Sequence, residues 1–92
     1  MTKSELITNL SEQGRTPHIT AEQVVNVVFE SMSDTLIAGN RIEIRGFASF
    51  MVKEYDAYTD RNPKTGEEIE VKPKKLPFFK VGKELKERVL GE

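Results

Sequence analysis

Between Thr20 and Ala38 the apolar residues wrap too far around a helix for one small domain to cover them. Val24, Val25, Val27, Val28, Phe29, Met32 and Leu36 exceed the stripe by which a helix docks on a single neighbour, so this helix is expected to pack on its own domain and on a second subunit. Length sharpens the demand: a chain of 92 residues supports only one modest core, and it has no cysteine to staple that core. A dimer of single-domain chains is therefore expected. The lack of cysteine, with His18 the sole histidine, also excludes a disulfide framework and a Cys/His zinc site. No cofactor or metal is expected.

Thr2-Lys3-Ser4-Glu5 has the form of a capping box, predicting a helix from about Lys3, with Leu6, Ile7 and Leu10 on one face and Gly14 ending it in a left-handed conformation. A second box, Thr20-Ala21-Glu22-Gln23, predicts the start of the longer helix, and Gly39-Asn40 its stop. Arg41 to Arg45 alternates polar and apolar residues, the period of a half-buried strand, and Gly46 breaks it. Phe47 to Tyr58 reads as the first strand of a hairpin, Asn62-Pro63-Lys64-Thr65-Gly66 as its turn, and Ile69 and Val71 as the return. Pro73 and Pro77 are expected to interrupt that return, which confines residues 67–80 to an exposed edge. Residues 82–90 close the chain as a short helix with Leu85, Val89 and Leu90 inward, giving the order α-α-β-β-β-α. The expected organisation is one domain over 1–92: a helical base at 1–40, a sheet at 41–81 with an arm at about 54–71, and a C-terminal helix at 82–90.

From Glu54 to Glu70 only Tyr55, Ala57, Tyr58 and Ile69 are apolar, too few to bury two strands. The arm should project into solvent and stay mobile until something lies against it. Its charge is peculiar. This stretch carries six acids against Arg61 and Lys64, whereas Val71 to Lys83 carries Lys72, Lys74, Lys75, Lys80 and Lys83 and no acid. Five like charges running into a helix N-terminus form a candidate phosphate track; a solvated edge that resists aggregation is the plain alternative. The net charge of −1 means that any nucleic-acid binding must come from such local placement. Glu54 and Asp56 are expected to pair across the ribbon with Lys72 and Lys74.

Four segments then carry a resemblance: MTKSELI at 1–7, RIEIRGFASF at 41–50, RNPKTG at 61–66 and PFFKVGKEL at 77–85. In them the chain resembles the bacterial DNA-bending proteins of the HU and integration host factor type, most closely the beta-type subunit of integration host factor. The resemblance implies an α+β fold in an intertwined dimer, with a helical base, a three-stranded antiparallel sheet per subunit and a protruding β-ribbon arm. It implies that the arms embrace double-stranded DNA through the minor groove, Pro63 wedging between bases with Arg61, Asn62 and Lys64 beside it. Arg45, Gly46 and Ser49 would touch the flanking DNA, and Lys3, Ser4, Lys80, Gly82, Lys83 and Lys86 would clamp phosphates, with Lys72, Lys74 and Lys75 along the track. The second subunit would be either a copy of this chain or an alpha-type partner. The implied role is nucleoid organisation, recombination, replication and transcription in the bacterial cytoplasm. Two departures stand out: Ala48 occupies a position usually held by glycine, and Asp56 and Asp60 replace neutral or basic residues.

Other readings of these residues are weaker. His18 follows Pro17 in an interhelical loop and has no partner for nucleophilic catalysis, while Glu67 and Glu68 point to opposite faces of a strand; an enzyme is not expected. Phe47, Phe50, Phe78 and Phe79 suit the saddle core and the dimer interface better than a single-strand stacking platform. The rival function is a dimeric interaction protein whose arms grip a protein partner. The N-terminus turns polar at once and no apolar run approaches a membrane span, so a soluble cytoplasmic protein without membrane contact is expected.

Overall fold

The first helix, α1 (Lys3–Gln13), starts where its cap predicts, the Thr2 hydroxyl accepting from the Glu5 amide at 3.1 Å in a computed structural model that describes residues 1–91. Its end differs from expectation. Gly14 stays right-handed at φ −82° and Arg15 takes the left-handed turn at φ 49°. Arg15 and Thr16 donate to the Glu12 and Ser11 carbonyls, and the Ser11 hydroxyl donates to the Thr16 carbonyl at 2.6 Å. These bonds offset the roughly 1 kcal/mol that a left-handed non-glycine residue costs.

Helix α2 (His18–Ile37) begins two residues ahead of the predicted box. Pro17, fixed at φ −53°, already presents its carbonyl to the Ala21 amide at 3.0 Å, so Thr20 falls inside the first turn and caps nothing. The C-terminus follows the expected pattern: Gly39 at φ 82° and Asn40 donate to the Leu36 and Thr35 carbonyls. Ile7, Ala21 and Val25 form the core between α1 and α2, with Leu6 and Leu10 packed on it. Among the described residues no large side chain is fully buried. Val24, Val27, Val28 and Phe29 leave the rest of α2 apolar and exposed, as the breadth of the pattern requires. Among the described residues no helix is long and apolar enough to cross a membrane.

Strands β1 (Ile42–Ile44), β2 (Ala48–Tyr55) and β5 (Lys74–Val81) form an antiparallel sheet in the order β1-β2-β5, and β3 (Tyr58–Arg61) and β4 (Glu68–Val71) form a separate ribbon. The predicted hairpin is thus two long strands, each broken once. Tyr55 pairs with Lys74 and Tyr58 with Val71, so two residues are skipped on each side and the register passes through the break unchanged. Pro73 lies in that gap and brings no N–H to the ladder. Pro77, by contrast, does not interrupt: it sits inside β5 opposite Val52, tolerated because β5 is an edge strand. The radius of gyration is 19.4 Å, against about 12 Å for a compact chain of this length. The excess reflects the projecting arm. Helix α3 (Lys83–Leu90) half-buries Leu85 and leaves Val89 and Leu90 exposed, contrary to the inward placement expected for those two.

Candidate nucleic-acid interface

Strand parity decides which side chains share a surface. Across β2 and β5, Ser49 pairs with Lys80, Met51 with Phe78, Lys53 with Leu76 and Tyr55 with Lys74, so these lie on one face. Lys53 Nζ stands 3.6 Å above the Phe78 ring and Lys74 Nζ 5.6 Å from that of Tyr55, each cation resting on an aromatic platform. The opposite face holds Phe50 and Phe79, whose ring centroids are 5.3 Å apart, followed by Val52, Pro77, Glu54 and Lys75. A groove joins Val52, Glu54, Lys75 and Pro77 to Leu36 and Ile37 at the end of α2, which marks this as the helix side.

The predicted lysine track therefore splits. Lys74 and Lys80 share the Ser49 face, but Lys75 stands on the helix side and pairs with Glu54 at 3.4 Å. The expected partners of Glu54, Lys72 and Lys74, are thereby corrected to Lys75, its register partner. Lys72 falls in the break before β5, and Asp56 in the facing break. One cation on the Ser49 face escaped sequence reasoning: Lys53 follows Ser49 by four residues in β2, and parity along the strand was the signal that could have found it.

At the base of the sheet, the turn between β1 and β2 meets the start of α3. The Gly82 amide donates to the Phe47 carbonyl at 2.8 Å, and a Cβ on Gly82 would stand 2.9 Å from that oxygen, so only glycine fits. Gly46, at φ 80°, lies under the Glu84 carboxylate, 2.8 Å from where its Cβ would be. Arg45, Gly46, Ser49 and Gly82 line one shallow depression. Lys83 follows directly and pairs loosely with Glu87 at 3.9 Å, while Lys86 is exposed one turn on. Lys3 and Ser4 are exposed in the first turn of α1; among the described residues no hydrogen bond or ion pair ties their side chains to that group. Ala48 is 3% exposed, its methyl accommodated in the sheet.

The arm tip is built by short-range bonds. Asn62 donates to the Glu67 carbonyl at 2.8 Å, Gly66 returns a bond to the Asn62 carbonyl at 2.7 Å, and the Asn62 side-chain oxygen accepts from the Lys64 amide at 2.9 Å. Gly66 supplies the positive φ of 73° that the turn needs. Asn62 is consequently half-buried in turn-building, while Pro63 and Lys64 are exposed at the apex. Arg61 faces its register partner Glu68 at 3.8 Å, and its amide donates to the Asp60 carboxylate at 2.8 Å. The apex thus offers a rigid apolar ring between two cations, on a ribbon held out from the sheet.

This arrangement has close counterparts. An Anabaena HU solved in a cocrystal with DNA matches over the whole of both chains, with 30% identity and a TM-score of 0.85. HU from Thermotoga maritima is 26% identical with a TM-score of 0.69, the match covering 97% of this chain and 98% of that one. A mutant of transcription factor 1, at 23% identity and a TM-score of 0.67, shares the fold, over 100% of this chain and 93% of that one. The family described as Bacterial DNA-binding protein matches residues 1–90. With helices, sheet and ribbon matched over the whole chain, it belongs to this HU and integration host factor type family of bacterial DNA-binding proteins.

Proposed function

We propose that two copies of this chain, or one copy with an alpha-type subunit, form a saddle that bends duplex DNA, each arm lying in the minor groove with Pro63 wedged between base pairs. The observation that carries this reading is the apex: Pro63 is exposed at the end of a ribbon whose turn is fixed by bonds at Asn62 and Gly66. A proline ring is apolar and conformationally fixed, so it replaces lost base stacking with little entropy cost on insertion. Arg45, Gly46, Ser49, Gly82, Lys80 and Lys83 would hold the DNA on the saddle, Lys53, Lys72 and Lys74 would lead the backbone toward the arm, and Lys3, Ser4 and Lys86 would reach flanking phosphates. Dimerisation is supported by the apolar exposure of Val24, Val27, Val28, Phe47 and Phe79 in the single chain. The beta-type assignment rests on the MTKSELI and RIEIRGF segments. The role is architectural rather than catalytic, serving nucleoid organisation, recombination, replication and transcription in the bacterial cytoplasm.

The test compares intact with nicked or prekinked duplex. Pro63→Ala should reduce the bend read by fluorescence transfer, and should weaken binding to intact duplex more than to prekinked DNA, where the unstacking cost of a few kcal/mol is already met. Its salt dependence should stay nearly unchanged. An intact bend angle, or equal losses on both DNAs, refutes the wedge. A second reading, arms that grip a protein partner, draws on the acids of the ribbon; it gains ground if the wild type shows no bending of either duplex.

A further inference from the structure

Resting on the reading just given, we infer that Phe78 is a positioning residue for DNA binding: its ring holds the Lys53 ammonium on the Ser49 face, ready for a phosphate and with its charge intact.

Phe78 is set apart from the other phenylalanines expected in the saddle core. Phe50 and Phe79 meet on the helix side, whereas register places Phe78 opposite Met51 on the other face, between Leu76 and Lys80 along β5. The ring is 39% exposed there. Lys53, whose own register partner is Leu76, reaches diagonally across the two strands and brings Nζ to 3.6 Å from the ring centroid, well inside the limit of about 6 Å for a cation–π contact. None of the residues that β2 and β5 place on this face is acidic, and Lys53 makes no ion pair among the described residues. The helix side holds its lysine differently, Lys75 being fixed by the Glu54 carboxylate at 3.4 Å. The two anchors have opposite consequences for DNA. A carboxylate offsets the charge it fixes and repels a phosphate, while an aromatic ring offers the negative face of its quadrupole and leaves the cation its full charge. The side of the ammonium turned away from the ring remains free to donate. An exposed lysine without such an anchor samples many rotamers, and its affinity for a phosphate is lowered by the fraction of time it spends elsewhere. Tyr55 repeats the arrangement with Lys74 more loosely, at 5.6 Å.

The experiment measures the affinity of the full chain, assembled as it occurs, for one mixed-sequence duplex over a range of salt concentrations. Phe78→Leu keeps an apolar side chain on the sheet but removes the ring, and should weaken binding by up to about fivefold per copy of this chain, the most that an exposed cation–π contact can bias the lysine toward its bound geometry. The salt slope should stay near that of the wild type, because Lys53 still reaches its phosphate. Phe78→Tyr should bind as the wild type does. In a Lys53→Ala background, Phe78→Leu should cost nothing further. Proton NMR reads the contact itself: the ring current should shift the Lys53 ε-methylene protons upfield in the wild type, and Phe78→Leu should return them to the ordinary lysine position. Unshifted methylene protons in the wild type, unchanged or tighter binding by Phe78→Leu, or an equal loss with and without Lys53 overturns the inference while leaving DNA bending by Pro63 intact. A wild type that bends no duplex overturns the underlying reading and the inference with it.

Discussion

Replacing Phe47 by alanine tests whether folding and dimerisation are one event. The single chain exposes 7951 Å², against about 5,400 Å² for a compact monomer of its mass. Part of the excess is the arm, and part is apolar surface on α2 and the sheet that a partner would cover. Phe47, in the turn that joins β1 to β2, is 45% exposed. Taking roughly 200 Å² for a phenylalanine, about 90 Å² remains to be buried, worth about 2.3 kcal/mol at ~25 cal/mol per Å². In a dimer of two copies, two-fold symmetry counts the loss twice, about 4.5 kcal/mol, so Phe47→Ala should weaken that dimer roughly a thousandfold. Sedimentation equilibrium reads the constant directly, and the melting temperature of both proteins should fall on dilution, at higher concentrations for the variant. Tyr58→Ala is the comparator: that ring is 54% exposed but stands on the arm, so its loss should leave the dimer constant unchanged. A wild type that sediments as a folded monomer at micromolar concentration, or equal effects from Phe47→Ala and Tyr58→Ala, refutes the reasoning.

Two further outcomes are expected. Amides between 57 and 71 should exchange fast in the free protein and slow on adding duplex DNA, whereas those of α2 stay protected throughout; equal protection of both regions without DNA would make the arm a core element. Lys83→Ala and Lys53→Ala should each lower the slope of log affinity against log salt by up to about one unit for every phosphate left without its cation in each subunit, while Lys75→Ala, on the helix side and paired with Glu54, should leave the slope nearly unchanged. A drop in slope from Lys75→Ala equal to that from Lys53→Ala would show that the two faces of the sheet are not distinguished by DNA.

How far the fold could be read in advance follows from the range of the interactions involved. The start of α1, the stop of α2, the β1 break at Gly46 and the arm turn at Asn62 to Gly66 are each decided by residues within a few positions of one another, and each appears where the sequence places it. Thr20 misled because Pro17, three residues upstream, offered the helix an earlier start. Gly14 misled because the Ser11 hydroxyl and the Thr16 backbone stabilise the left-handed turn one residue later, at Arg15. The inward placement of Val89 and Leu90 failed for a different reason: helical spacing reports which residues share a face, not whether the chain itself supplies anything to cover that face.

The candidate interface was legible in part for the same reason. Arg61, Pro63 and Lys64 are neighbours in the chain and remain neighbours at the apex, so local pattern sufficed. The lysines are a different matter, because a run of cations along a strand is divided between two faces by parity, and the run alone does not say which face meets the helices. Phe50 and Phe79 settle it: their contact across β2 and β5 fixes the apolar side, and everything at odd separation from them along each strand must point the other way. Once that pair is set, Lys75 is committed to the helix side, Glu54 is its register partner, and Lys53, Lys74 and Lys80 are left together beside Ser49. A one-residue slip of β5 would exchange these sets and turn Phe79 to the Ser49 face, which is the physical reason the apolar pair, rather than the charges, determines where a phosphate backbone could lie.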